Sequence, residues 1–203
     1  MNEDAEIILL EKDEYVSFAN CGLPYYIGDE ISDRDDLIVT TPERLTERFR
    51  LDVRTFHEAT AIDRTNKTIS VRDRQGDRNY DLAYDKLILA PGASPLVPPL
   101  PGIDADNVLT LRNLADTDRI KSYVDQQATR HAVVVGAGFI GLEMVEQLIR
   151  REIRTTLVEL QPQVLPLMDS EMVQPLEQEL RRNDVQLHLG ESLSEVIVDD
   201  DKL

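Results

Sequence analysis

The stretch "HAVVVGAGFIGLEMVEQLIRREIRTTLVEL", residues 131–160, constrains the fold more than any other part of the chain. An apolar run, glycines at 136, 138 and 141, a helical run and a second apolar run ending in Glu159 follow one another without a gap. That order reads as strand, tight turn, helix and parallel strand, the start of a dinucleotide-binding βαβ unit. Gly136 permits the turn. Gly138 lets backbone approach a pyrophosphate seated on the helix N-terminus, and Gly141 lets helix and strand pack closely. Glu159, 18 residues past Gly141, suits the ribose hydroxyls of an adenosine, and its charge repels a 2′-phosphate. The pattern therefore predicts NAD(H) over NADP(H), the alternative being a glycine-rich turn without a ligand.

A second unit of the same kind is less complete. "EIILLEKD", residues 6–13, is a short apolar run ending in acid and reads as a buried parallel strand. Glu11 has the place of a second ribose-binding acid, yet only ten residues precede it and none forms a glycine turn. Either Glu11 is a surface acid or the chain is a piece of a longer one. "TTPERLTERF" predicts a helix with Thr40 and Glu43 as its capping box and Pro42 in its first turn. From Leu51 to Ala90, "VRTFHEATAID", "KTISVRD" and "RNYDLAYDKLILA" predict an antiparallel meander. "APGASPLVPPLPG", residues 90–102, is too rich in proline and glycine for a regular element. Beyond Glu159, "DSEMVQPLEQELRRND" predicts an amphipathic helix, and "VQLHLG" and "EVIVDD" predict strands. The fold class expected is α/β, with two incomplete Rossmann-like, three-layer nucleotide-binding units. The first, residues 1–107, carries the meander and the segment with the single cysteine, and the second, residues 108–203, carries the glycine turn and is incomplete at its C-terminus.

The segment "YVSFANCGLPYYIG" holds the single cysteine of the chain, Cys21. Pro24 suits a first helical turn and Gly28 suits a helix end, which places Cys21 at the N-terminus of a short helix. Backbone N–H groups and the helix dipole there favour a thiolate. An inert buried cysteine is the other reading. One cysteine excludes a disulfide within the chain and the paired-cysteine redox motif. It also suits a reducing compartment.

The balance of charge excludes further classes. Thirty-nine acidic against 22 basic residues give a formal charge of −17, a field that repels nucleic acid. No apolar run is long enough to span a membrane, and the acidic start "MNEDAE" is unlike a signal peptide. A cytoplasmic protein is expected. The histidines at 57, 131 and 188 have no ligand spacing, so no metal is expected.

Taken together, "SFANCGLPYYIG", "HEATAID", "YDKLILAPGASP", "LTLRNLADTD" and "VVVGAGFIGLEMVEQL" resemble the flavin-dependent pyridine nucleotide-disulfide oxidoreductases with one active-site cysteine. The nearest kinds are coenzyme A-disulfide reductases and NADH-dependent coenzyme A persulfide reductases. The resemblance implies FAD and NAD(H) as cofactors, a thiol or disulfide substrate of coenzyme A type, and a homodimeric parent enzyme. It makes Cys21 the redox nucleophile and brings Ser17 and Asn20 to coenzyme A. It assigns Glu11 and Lys12 to the FAD adenosine, Ala59 to the adenine, and Ala90, Pro91 and Gly92 to a second FAD-facing loop. Arg112 matches the arginine at the crossover into the NAD domain. Phe139 and Ile140 would face the nicotinamide and Glu143 would hold its carboxamide. Plainer roles stand beside these: a turn cap for Ser17 and Asn20, core packing for Phe139 and Ile140, a solvated helical acid for Glu143. The family's first FAD strand and glycine turn, and its C-terminal segments, have no counterpart in this sequence, so an internal fragment is expected. An NADH oxidase or peroxidase cycling through a cysteine sulfenic acid, or an inert NAD-binding fragment, are the competing functions.

Overall fold

The computed structural model describes residues 5–126 and 129–197. In chain order the elements are β1 (Ile8–Leu10), β2 (Ser17–Phe18), α1 (Leu23–Ile27), β3 (Ile38–Thr40), α2 (Pro42–Phe49) and β4 (Asp52–Arg54). The meander strands β5 (His57–Asp63), β6 (Thr68–Asp73) and β7 (Arg78–Ala83) follow. Then come α3 (Leu114–Asp125), β8 (His131–Val135), α4 (Phe139–Arg150), β9 (Arg154–Glu159), α5 (Ser170–Arg182) and β10 (Gln186–Leu189). The residues gather into two compact units that alternate along the sequence. One joins residues up to Ala19 with Asp35–Ala93; the other joins Asn20–Arg34 with the chain from Ser94 onward.

In the first unit β1 runs parallel to β4, with Leu9 opposite Val53, and β2 pairs antiparallel with β3. The strand predicted to run from Val53 into Asp63 is interrupted. Phe56 takes a left-handed backbone, φ 59°, which frees 52–54 to pair with β1 and lets the meander start at His57. Strand β6 is central in that meander. Strand β7 ends at Ala83, and Ile88 and Leu89 lie exposed in irregular backbone rather than in the predicted strand. Helix α2 is capped by Thr41, not by the predicted Thr40: the Thr41 hydroxyl accepts the Arg44 N–H at 3.4 Å, while Thr40 closes β3. The turn into β7 is organised by buried Asp73, whose Oδ1 accepts the Gly76 and Gln75 N–H groups at 2.8 and 3.1 Å. The Gly76 hydrogen bond, with Arg78, His57 and Gln75, holds that carboxyl below its usual range against the opposing effect of burial.

The second unit is a three-stranded parallel sheet in the order β10–β9–β8. Ala137, Val145, Leu157, Val164, Val173, Leu180 and Val185 form one buried cluster. A second cluster, Ile27, Val124, Met144, Leu148 and Ile153, joins α1, α3 and α4. Burying such side chains stabilises by about 1.5–3 kcal/mol each, so the fully buried Ile27 anchors the short α1 more firmly than its five residues could. Charged groups ring the end of α1. Asp29 pairs with Lys121 at 2.5 Å and Arg151 at 2.6 Å, and Asp125 pairs with Arg151 at 2.8 Å. Burial resists the Asp125 charge, but Arg151 and Lys121 outweigh it and lower that carboxyl. Helix α3 has no element in the sequence reading. Its start is a capping box in which Asn113 Oδ1 accepts the Asp116 N–H at 2.9 Å and Asp116 Oδ2 accepts the Asn113 N–H at 3.3 Å. The "EVIVDD" strand prediction extends past the described residues; 195–197 are irregular.

Candidate nucleotide and thiol sites

Strand β8 ends at Val135, and Gly136 turns the chain with φ 101°, a conformation L side chains rarely adopt. Its N–H donates to the Val158 carbonyl at 2.8 Å, tying the turn to β9. A Cβ on Gly141 would overlap the Gly136 carbonyl, whereas a Cβ on Gly138 would meet nothing within 4 Å. So Gly141 is small because helix and turn touch, and Gly138 fronts open space. Gly138 is also the N-cap of α4, where no side chain accepts from the first-turn N–H groups. Those donors and the open cradle fit the pyrophosphate of a dinucleotide.

Glu159 closes this site, 9% exposed at the end of β9. Its Oε2 accepts the Ala137 N–H at 2.7 Å and its Oε1 accepts the Gln161 N–H at 2.8 Å. One lone pair on each oxygen is thereby used, and each carboxylate oxygen has another to offer a ribose hydroxyl. The grip of Glu159 on the glycine turn was missed in the sequence; spacing alone locates the acid but not its backbone partners. Phe139 and Ile140 are 68% and 58% exposed, which removes core packing within this chain as their explanation. Glu143 lies half-buried one turn further along α4.

Cys21 is exposed, in a 3-10 turn over Asn20–Gly22 that leads directly into α1. Pro24 occupies the first turn of α1 and Gly28 its C-cap, as predicted, with the Gly28 N–H donating to the Pro24 carbonyl at 3.0 Å. The Asn20 side-chain oxygen accepts from Arg112 Nη1 at 3.0 Å. Tyr25, one turn beyond Cys21, has its phenol held above its ordinary pKa by the Glu143 carboxylate first, then by burial, Glu146, Glu30 and Cys21. Asn20, Cys21, Arg112 and Glu143 are thus brought together in the unit that carries residues 136–141 and Glu159.

The remaining predicted residues fall in the first unit. Ser17 pairs with Thr40 across β2 and β3, and Ala59 is an exposed residue of β5 opposite Val71. Ala90, Pro91 and Gly92 are exposed irregular backbone, with Gly92 at φ 70°. Lys12 is exposed, and its carbonyl accepts from Arg74 at 3.2 Å. Glu11 follows β1 and repeats the local geometry of Glu159. Its Oε1 accepts the N–H two residues on, from Asp13 at 2.8 Å, and its carbonyl accepts the His57 N–H at 2.8 Å, as the Glu159 carbonyl accepts the Glu191 N–H at 3.1 Å. Two acids at parallel-strand ends with the same local bonding fit two adenosine riboses. Among the described residues no group of three His, Cys, Asp or Glu could hold a metal ion. Among the described residues no helix is long and apolar enough to cross a membrane.

A family model described as pyridine nucleotide-disulphide oxidoreductase matches residues 1–203. The chain belongs to this family. As a pyridine nucleotide-disulphide oxidoreductase it shares the family's α/β fold, and membership implies FAD and NAD(H) as cofactors. A coenzyme A disulfide reductase of Staphylococcus haemolyticus is 40% identical over 196 residues, 97% of this chain and 44% of that protein. The crystal structure of a reduced Bacillus anthracis protein, CoADR-RHD, superposes with a TM-score of 0.92 at 48% identity, covering 96% of this chain and 35% of the other. An NAD-dependent persulfide reductase from A. fulgidus superposes with a TM-score of 0.92 at 35% identity, covering 98% and 38%. This pyridine nucleotide-disulphide oxidoreductase chain therefore spans less than half the length of the relatives it matches.

Proposed function

We propose that the chain is the cysteine- and nucleotide-bearing part of an NADH-dependent reductase of coenzyme A disulfide or coenzyme A persulfide. The observation that carries the reading is the place of Cys21. The cysteine turn sits in the same compact unit as the dinucleotide turn, with Asn20 tied to Arg112 at 3.0 Å and the Tyr25 phenol raised in pKa by the Glu143 charge. The names of the Staphylococcus haemolyticus and A. fulgidus relatives point the same way. In this reading residues 108–203 hold NADH, with the pyrophosphate on 136–141, an adenosine ribose on Glu159, and the nicotinamide end at Phe139, Ile140 and Glu143. Residues 1–107 supply Glu11 and Lys12 to the FAD adenosine, Ala59 to the adenine, and Ala90, Pro91 and Gly92 to the second FAD-facing loop. Ser17 and Asn20 hold coenzyme A. The whole protein works in the cytoplasm as a homodimer.

The chemistry asked of the chain is thiol–disulfide exchange followed by reduction. The Cys21 sulfur attacks one sulfur of the substrate disulfide, the S–S bond breaks, and the first coenzyme A leaves as a thiolate that takes up a proton. Cys21 is left in a mixed disulfide with the second coenzyme A. Glu11, Lys12, Ala59 and the loop at Ala90, Pro91 and Gly92 would hold FAD, which would supply the two-electron transfer from NADH to that disulfide. The second thiol then leaves and Cys21 returns to its thiolate. One NADH and one proton are consumed for two thiols released. A single protein cysteine suffices because the substrate brings the other sulfur.

The test is thiol release from coenzyme A disulfide with NADH and added FAD, on the wild type and on Cys21→Ser. Wild-type release, abolished in Cys21→Ser with NADH binding within twofold, is the expected result. Release that persists in Cys21→Ser overturns the assignment of the nucleophile. NADH consumed with oxygen or peroxide but without thiol release assigns the chain to sulfenic acid chemistry instead.

A further inference from the structure

Glu143, Gln147 and Arg151 stand four residues apart along α4 and its C-cap, so their side chains lie on one helix face. Each acts on a different part of residues 25–30, in and just after the cysteine segment. Glu143 acts on Tyr25. Gln147 donates from Nε2 to Glu30 Oε2 at 2.9 Å. Arg151 donates to the Ile27 carbonyl at 3.1 Å and pairs with Asp29 at 2.6 Å. Gln147 differs from the other two in being fully buried. Its Oε1 is buried with no hydrogen-bond partner. A Cβ on the buried Gly28 would overlap that same oxygen, so the bare backbone at the end of α1 and the amide fit one against the other.

A buried amide oxygen without a partner destabilises a fold, and an apolar side chain of similar length would fill the place without that penalty. The surrounding ion pairs are partly open to water. Glu30 and Arg150 are 32% and 51% exposed, and Asp29 is 54% exposed. Solvent and salt weaken such pairs. Gln147 is the one fully buried member of the stripe, and it lies against Gly28, the C-cap of α1. We propose that Gln147 is a positioning residue for Cys21, holding the end of α1 against α4 so that the turn at 20–22 keeps one place on the nucleotide-binding unit. The proposal rests on the reading of Cys21 as the reacting thiol.

The test uses the whole chain with three substitutions, Gln147→Leu, Glu30→Ala and Glu30→Gln. The readouts are hydrogen exchange of residues 23–29, alkylation of the single cysteine by iodoacetamide, and melting temperature. Gln147→Leu and Glu30→Ala should each speed exchange in 23–29 at least tenfold and change the alkylation rate at least threefold, with the melting temperature within about 2 °C of wild type. The two together should do no more than either alone. Glu30→Gln, which keeps an oxygen for Gln147 Nε2, should stay within twofold of wild type. In disulfide reduction the same two variants should lower kcat about tenfold at constant KM for NADH. Exchange and alkylation within twofold of wild type in both variants overturn the proposal, and so does faster exchange spread equally over α3 and α4. Thiol release persisting in Cys21→Ser overturns the nucleophile reading separately, and the exchange and alkylation comparison still decides the role of Gln147.

Discussion

Replacing Glu159 should damage the fold of the nucleotide site as well as its ligand. The Ala137 N–H that Glu159 holds at 2.7 Å is buried, on a residue with no exposed surface. The Gln161 N–H that it holds at 2.8 Å belongs to an exposed residue. In Glu159→Ala water can replace the second bond but not the first. A hydrogen bond to a charged acceptor contributes ~1.5–3 kcal/mol, and a buried donor left unpaired costs ~1–3 kcal/mol. The Ala137 bond therefore dominates, and Glu159→Ala should lose about 3 kcal/mol, or roughly 6–12 °C in melting temperature for a chain of this size. Glu159→Gln keeps one carbonyl oxygen for Ala137 and places an amide donor toward the open Gln161 side, so its loss should be near 1 kcal/mol. Glu159→Arg presents only donors to a donor and should be the least stable of the three.

Melting curves paired with NADH and NADPH titrations separate the two functions of the carboxylate. Glu159→Gln should weaken NADH about tenfold and narrow the gap between NADH and NADPH, because the charge facing a 2′-phosphate is gone while the turn is kept. Glu159→Ala should weaken both nucleotides, since the turn itself loses its tie. A Glu159→Ala protein that melts within 1 °C of wild type would refute the structural half of this reasoning. NADH affinity unchanged in Glu159→Gln would refute the ribose half.

The glycines of the same turn should divide in the opposite way. Gly138→Ala adds a methyl group to open space, so it should leave melting unchanged and weaken NADH at least tenfold in titration. Gly141→Ala collides with the Gly136 carbonyl and should cost ~1–3 kcal/mol, seen as a lower melting temperature before any nucleotide is added. Burial, then the nearby Arg154, lowers the His131 pKa below its ordinary value. The unfolded chain therefore binds the proton more readily, so the contribution of His131 is complete above about pH 6.5 and is lost as pH falls from there toward the folded value. His131→Gln should lose less stability than wild type between pH 7 and pH 5 in paired melts.

How much of this could be read from the sequence depended on whether the signal was local. The βαβ unit around 131–160 was legible because its information lies in period and spacing, and the glycine turn cannot be built another way. The short α1 was legible from Pro24 and Gly28. Helix α3 was not assigned, although Asn113 and Asp116 carry a capping pair, because its hydrophobic stripe is interrupted by charge in "LADTDRIKSYVD". The break at Phe56 was hidden, since a left-handed aromatic residue has no sequence signature of the kind that glycine or asparagine gives. The apolar run at Leu87–Leu89 invited a strand, but a strand needs a partner edge, and among the described residues none pairs with it.

The alternation of the two units along the chain was the least legible feature, and it bears most directly on function. Nothing in "YVSFANCGLPYYIG" announces that the segment leaves its sequence neighbours and packs on α3 and α4. The docking is written in single residues far apart: Ile27 buried between helices, Gly28 bare against Gln147, Arg112 reaching back 92 positions to Asn20. Each is ordinary alone, and together they hold the cysteine turn on the unit that carries the nucleotide site. A helix of five residues has too few internal hydrogen bonds to persist unaided. Its stability, and with it the placement of the sulfur, is therefore borrowed from α3 and α4. Selection on thiol chemistry should consequently leave its mark on the buried face of α4 as much as on the residues beside Cys21, and exchange protection across 23–29 should rise and fall with substitutions at 147 rather than with those at the exposed 150.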